Sequence, residues 1–205
     1  MLLLAPLSVV AEDWFADPQS DVIENFLEEH FSESSAGMVV GLLDRNGSKV
    51  HGAGKLGNAT DQTVTADTIF EIGSTSKTFT SLLLFEAVRR GEMKLDDPVA
   101  KYLPDGVKVP SRNGKEITLL NLAAQESGLP FNADNMSKEP FPANYNKYTA
   151  DDLYAFLSDY ELPREPGIRF GYSNVGMSLL GHVMQLKTGK HYESLVVDRI
   201  CRPLS

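Results

Sequence analysis

Ser74-Thr75-Ser76-Lys77 sets a hydroxyl three residues before an amine, directly after Gly73 and at the head of an apolar run. On a helix, positions i and i+3 share a face, so the Lys77 amine can stand beside the Ser74 oxygen. A serine hydroxyl is a weak nucleophile until a neighbour takes its proton. Lys77 is therefore a candidate base for Ser74, and a helix N-terminus favours negative charge developing there. The same four residues also suit a plain helix start, with Ser74 as N-cap and Lys77 in solvent.

Tyr172-Ser173-Asn174 lies much later, after Pro166-Gly167 and the run Ile168-Arg169-Phe170, which reads as short and extended. An apolar, helix-like segment from Val175 to Lys187 follows. The triplet is thus expected on a loop between a strand-like piece and a helix, where functional groups are often carried. Tyr172 could share a proton with Lys77 and pass it to a leaving group. Asn174 could orient Lys77 and donate to a substrate carbonyl. The plain alternative is a buried tyrosine with Asn174 as a helix N-cap.

The two motifs together, Phe70 to Thr80 and Gly171 to Gly176, resemble the serine β-lactamase and penicillin-binding-protein superfamily. Tyrosine at the head of the second motif is similar to the class C branch, which also holds D,D-carboxypeptidases and family VIII esterases. Gly91 to Val99, Ile117 to Leu122 and Ser127-Gly128-Leu129-Pro130 match the same branch, and the resemblance runs from Gly37 onward. It implies a hydrolase whose serine is acylated by a β-lactam, a D-Ala-D-Ala-type peptide or an ester. It further implies Ser74 as nucleophile, Lys77 and Tyr172 as proton-transfer partners, and the Ser74 N–H as one oxyanion donor. Asn174 would orient substrate, and Asn132 would touch the substrate side chain. The implied fold is α/β (α+β), a β-lactamase/D,D-peptidase-like antiparallel sheet flanked by helices with a helical region beside it. No cofactor or metal is implied.

The family's third element is a Lys-Thr-Gly or His-x-Gly triplet on an edge strand. Lys187-Thr188-Gly189 has the letters but follows Tyr172 too closely and ends a helix-like run. Lysine in a last turn with glycine beyond it is ordinary helix-stop chemistry. The resemblance implies further strands beyond Ser205, so residues 12–205 read as the N-terminal part of a longer hydrolase domain. Acting alone, the 205 residues are expected to turn substrate over poorly and to show an exposed strand edge. A non-hydrolytic penicillin-binding or sensor protein is the alternative.

Composition narrows the partners. A net charge of -9 with no basic stripe argues against nucleic acid and anionic membrane surfaces. A single cysteine, Cys201, excludes an internal disulfide and is expected to be a small packed residue. The four histidines, His30, His51, His182 and His191, lack metal-site spacing. Gly171 to Gly176 nearly imitates the α/β-hydrolase elbow, but its last glycine is one place too far. Residues 1–11 are apolar and end in small residues, as in the core and cleavage site of a secretory signal. That predicts a periplasmic or secreted protein without a transmembrane segment, acting on a small-molecule or peptidoglycan-peptide substrate.

The elements that must hold these groups follow from patterning. Asp21 to Phe31 reads as an amphipathic helix, with Val22, Phe26 and Leu27 on one side. Met38 to Leu43, apolar on both faces, suits a strand covered on both sides. Asp44-Arg45-Asn46-Gly47 signals a hairpin, with Ser48 to Gly54 as the partner strand. Ile69 to Gly73 reads as a short buried strand or turn feeding a helix that ends near Gly91, with Phe79, Leu82, Leu83 and Ala87 as its apolar stripe. Residues 105–115 are hairpin-like, 117–125 helical, and 132–147 a polar loop beside the cleft. Thr149 to Asp152 opens a further helix through Leu157.

Overall fold

The computed structural model describes residues 18–34, 36–45 and 47–204. The leader-like stretch 1–11 lies outside them. The chain is α+β, with small antiparallel sheets and several helices, and divides into two compact units, residues 1–71 and 72–205.

In the first unit, helix α1 (Pro18–Phe31) packs against a hairpin of β1 (Met38–Asp44) and β2 (Gly47–Ala53). The strands pair antiparallel from Met38 opposite Ala53 to Asp44 opposite Gly47. The turn expected at residues 44–47 is therefore where the chain reverses, although Asn46 lies outside the described residues. Two sequence expectations are corrected here. Of the α1 stripe only Leu27 is buried, while Val22 and Phe26 are exposed. Strand β1 is not covered on both sides, since Leu43 and Met38 are exposed and the sheet has two strands.

Ile69 to Gly73 is neither strand nor buried. Ile69 is 97% exposed, and Phe70 and Ile72 are about half exposed. Apolar letters suggested a core element, but the boundary between the two units falls within this stretch.

The second unit carries the main core. Helix α2 (Ser76–Arg89) buries Thr80, Leu83, Leu84 and Ala87. Phe79 packs at the edge of the core and Leu82 is exposed, so the buried stripe is rotated slightly from the one expected. Strands β3 (Ser111–Arg112) and β4 (Lys115–Glu116) form the small hairpin foreseen in 105–115. Helix α3 (Leu119–Ala123) starts at Thr118, whose side chain and Asn121 form a reciprocal capping box. A short helix, α4 (Ala143–Asn146), lies within the polar 132–147 segment. Helix α5 (Ala150–Asp159) opens with a second capping box, Thr149 with Asp152.

Helix α6 (Asn174–Thr188) runs through the middle of this unit. Leu179, Leu180, Val183 and Met184 are fully buried and pack with α2 and α3. Burying each such side chain contributes about 1.5–3 kcal/mol. The helix ends where Gly189 turns left-handed (φ 67°) and its N–H bonds to the Gln185 carbonyl. Lys187-Thr188-Gly189 is thus a helix stop, as its position implied. Helix α7 (Tyr192–Val196) follows and buries Leu195. Cys201, expected to be packed, is exposed instead. Among the described residues, no helix is long and apolar enough to cross a membrane.

Candidate active site

The nucleophile candidate sits in a tight turn ahead of α2. Gly73 adopts φ 52°, a left-handed conformation that glycine takes without Cβ strain. It opens a single 3-10 turn, Gly73–Thr75, that runs directly into α2. Ser74 is therefore inside that turn and is not the N-cap of α2. Ser76 and Thr78 donate their hydroxyls back to the carbonyls of Gly73 and Thr75, both at 2.7 Å. The i, i+3 relationship survives the change of helix type, and Lys77 Nζ donates to Ser74 Oγ at 3.1 Å.

Tyr172 reaches the same oxygen from the loop ahead of α6. Its hydroxyl donates to Ser74 Oγ at 2.6 Å. Lys77 Nζ lies over its ring, 4.9 Å from the centroid, within cation–π range. The Phe131 ring packs against the Tyr172 ring itself, tilted, at 5.8 Å between centroids. Lys77 first, and the Ser74 hydroxyl second, pull the Tyr172 phenol below its ordinary pKa, against the opposing effect of desolvation. Ser74 is exposed and Tyr172 is 38% exposed, so the shared oxygen is open to a ligand.

The triplet is held from beneath by its middle residue. Ser173, not Asn174, is the N-cap of α6, and its Oγ accepts from Gly176 N at 2.9 Å. A cap of this kind contributes about 1 kcal/mol. The same Oγ donates to the Pro130 carbonyl at 2.6 Å, and Asn174 N donates to the Phe131 carbonyl at 2.8 Å. The run 168–170, expected to be extended, bends at residues 168 and 169 and forms no strand.

The structure brings Asn174 and Asn132 together. Asn174 Nδ2 donates to Asn132 Oδ1 at 3.1 Å and to Tyr145 Oη at 3.2 Å. Tyr145 Oη donates to Asn132 Oδ1 at 2.8 Å, closing a three-membered ring. The contact from Asn174 to Lys77 expected from the sequence is not among the hydrogen bonds of these two described residues: Lys77 Nζ donates to Ser74 Oγ, and the Asn174 amide nitrogen donates within this ring. Tyr145 was missed. It lies on α4 within a segment read only as a polar loop, and a lone tyrosine there carries no spacing signal.

A cavity of about 540 Å³ opens beside these groups between α2 and α6. Ser74, Lys77, Tyr145, Asn174, His182 and Tyr192 are part of its lining. That volume falls in the range of small-ligand clefts. Among the described residues, no group of three or more His, Cys, Asp or Glu could hold a metal ion.

A hydroxyl flanked by an amine and a phenol, at the mouth of a cleft with a converging amide pair, has the layout of a serine acyl-transfer site. The sequence model of the Beta-lactamase family matches residues 21–205, and the chain belongs to that family. It is similar to the D-alanyl-D-alanine-carboxypeptidase/endopeptidase AmpH of Escherichia coli (strain K12), 31% identical over 204 residues, which cover 96% of this chain and 51% of that one. It is also similar to the Beta-lactamase of Escherichia coli (strain K12), 30% identical over 206 residues, covering 98% and 51%. Among solved structures it resembles a Beta-lactamase/D-alanine Carboxypeptidase from Yersinia pestis, with TM-score 0.76, 27% identity, and coverage of 90% of this chain and 54% of that one. The chain spans about half the length of these curated relatives.

Proposed function

We propose that this chain carries the acylation machinery of a β-lactamase-related serine hydrolase, with Ser74 as nucleophile and Lys77 with Tyr172 as the proton-transfer pair. The observation that supports it most is one oxygen, Ser74 Oγ, within hydrogen-bond reach of both partners, at 3.1 and 2.6 Å. Ser74 Oγ attacks the carbonyl carbon of a β-lactam, a D-alanyl-D-alanine-type peptide or an ester. Its proton passes to the Tyr172–Lys77 pair, and the lowered phenol pKa favours a phenolate able to receive it. The C–N or C–O bond then breaks, the pair returns the proton to the leaving amine or alkoxide, and an ester remains on Ser74. Water attacking that ester under the same pair would release the acid and restore the hydroxyl. The Ser74 N–H serves as one oxyanion donor, a contribution worth about 10²–10³ in rate where measured.

The substrate class assigned first is the D-alanyl-D-alanine-type peptide. The similarity to a carboxypeptidase/endopeptidase supports it. So does the ring of Asn132, Tyr145 and Asn174, which offers amide and phenol groups to a peptide amide. The apolar stretch 1–11 supports a site of action in the periplasm or outside the cell, to be checked by cell fractionation.

The test is competitive labelling. The protein is incubated with a fluorescent penicillin, with and without a D-alanyl-D-alanine peptide. A covalent adduct that the peptide suppresses is expected. An adduct indifferent to the peptide would move the assignment to β-lactams. No adduct with any β-lactam, alongside cleavage of p-nitrophenyl esters, would move it to the esterases. Absence of all three signals would overturn the hydrolase reading.

A further inference from the structure

Gln125 follows α3 and is one of two described non-glycine residues with positive φ, at 62°. Glutamine seldom adopts this left-handed conformation, and outliers of this kind persist where their surroundings demand them. The other, Asn113, sits in the β3–β4 turn, where the conformation is common for asparagine. Gln125 is instead buried, with 8% of its surface exposed.

Both of its carbonyl groups face the loop that carries Tyr172. The backbone oxygen accepts from Gly171 N at 2.7 Å, and the side-chain Oε1 accepts from Ser173 N at 2.6 Å. These are the residues immediately before and after Tyr172. Among the described residues, no other grips both flanks of the phenol. Neighbouring bonds extend the attachment at one remove, from Gly167 N to the Glu126 carbonyl and from Asn174 N to the Phe131 carbonyl.

We propose that Gln125 is a positioning residue for Tyr172, setting the phenol against Ser74 by holding the peptide groups on either side of it. This rests on the reading of Tyr172 as a proton carrier, but its geometric content does not. Without the Oε1 contact, Ser173 N is left without its acceptor in a buried site, and the loop relaxes. The phenol then drifts from Lys77, the charged group it faces, and from Ser74. Phe131, the ring beside it, carries no charge.

The variant that isolates this effect is Gln125→Asn. Asparagine tolerates the left-handed backbone, so the fold is retained, yet its amide is one methylene too short to reach Ser173 N. Gln125→Met, which keeps the length and loses the acceptor, is the second variant. Ser127→Ala is the control, because Ser127 is buried in the same segment and its Oγ accepts from Leu129 N and makes no hydrogen bond to residues 171–173. Tyr172 is titrated by NMR with tyrosine labelled at Cζ, its signal assigned by loss in Tyr172→Phe. Acylation by fluorescent penicillin is followed in parallel across pH.

Both Gln125 variants should raise the Tyr172 pKa toward that of free tyrosine, shift the acylation profile to higher pH, and slow acylation about 100-fold, the effect of a misplacement near 1 Å. Ser127→Ala should do neither. A folded Gln125→Asn with unchanged Tyr172 titration, or an equal shift in Ser127→Ala, would overturn the proposal. If the wild type is not acylated but its Tyr172 titration responds to Gln125 as stated, the positioning role stands and the hydrolase reading fails.

Discussion

Tyr172 Oη donates to Ser74 Oγ at 2.6 Å, although 98 residues separate the two in the chain. Each sits at the N-terminal end of a helix of the second unit, Ser74 ahead of α2 and Tyr172 ahead of α6. The contact therefore depends on how those two helices pack. Leu83 and Leu84 from α2, with Leu180, Val183 and Met184 from α6, are fully buried in one core. Removing core volume should disturb stability first and the site second. Leu180→Ala should cost about 2–5 kcal/mol in chemical denaturation. A cost well under 1 kcal/mol would mean that α6 is not anchored as described.

Tyr172→Phe keeps the ring and its contact with Phe131 and deletes only the hydroxyl. Acylation should slow by about 10²–10⁴-fold, the usual contribution of a positioned acid–base group. Thermal stability should change little, since the hydroxyl is near the surface. Rates come from stopped-flow fluorescence with a labelled penicillin. A loss below tenfold would assign proton transfer to Lys77 without the phenol.

The pH dependence has a definite sign. Lys77 and Ser74 lower the Tyr172 pKa, which favours the phenolate over the phenol. The acylation rate should therefore rise with pH through a midpoint below the ordinary tyrosine value of about 10. In Lys77→Gln the cation is gone, so any residual activity should show its midpoint moved upward. A midpoint at or above 10 in the wild type would contradict the role of Lys77 in tuning the phenol.

Tyr145→Phe tests the amide ring. It removes the bond donated to Asn132 Oδ1 and the acceptor for Asn174 Nδ2. With each such bond worth about 0.5–1.5 kcal/mol, the peptide concentration needed for half-maximal protection against labelling should rise about tenfold. The limiting acylation rate should stay within a factor of about three, under half of the 1.4 kcal/mol that a tenfold change represents. A fall in the limiting rate with unchanged protection would place Tyr145 in the chemistry and not in binding.

Asp97 gives the acid limb of stability. Its carboxylate accepts from Lys101 Nζ at 2.7 Å, Tyr102 Oη at 2.5 Å and Lys94 N at 2.9 Å. Those bonds, that of Lys101 foremost, hold its pKa at about 2, below the ordinary 3.8. The unfolded chain binds the proton more readily than the folded one, so this contribution is full above pH 3.8 and is lost as pH falls through about 2. Asp97→Asn should be less stable at neutral pH and show a flatter decline in that window, read by urea denaturation at stepped pH. Parallel curves for the two proteins would contradict it.

Much of the site could be read before any coordinates because its chemistry is coded in short spacings. Ser74 and Lys77 are one turn apart, and Tyr172 and Asn174 flank a capping serine, so each pair declares itself locally. The stop at Gly189 and the helix opening at Thr149 were legible for the same reason. What escaped depends on partners distant in sequence. Tyr145 acquires meaning only from Asn132 and Asn174, and Gln125 only from a backbone angle and two peptide groups beyond position 170. The reading of Ile69 to Gly73 as buried failed because apolar letters report a tendency to be covered. The covering itself depends on what the rest of the chain places there.

The most direct test is to locate the covalent bond. The protein is reacted with benzylpenicillin, digested, and mapped by tandem mass spectrometry. The account predicts a single penicilloyl adduct on the peptide containing Ser74, sited on that residue and absent from Ser74→Ala. An adduct on another side chain, or one that persists in Ser74→Ala, would contradict it.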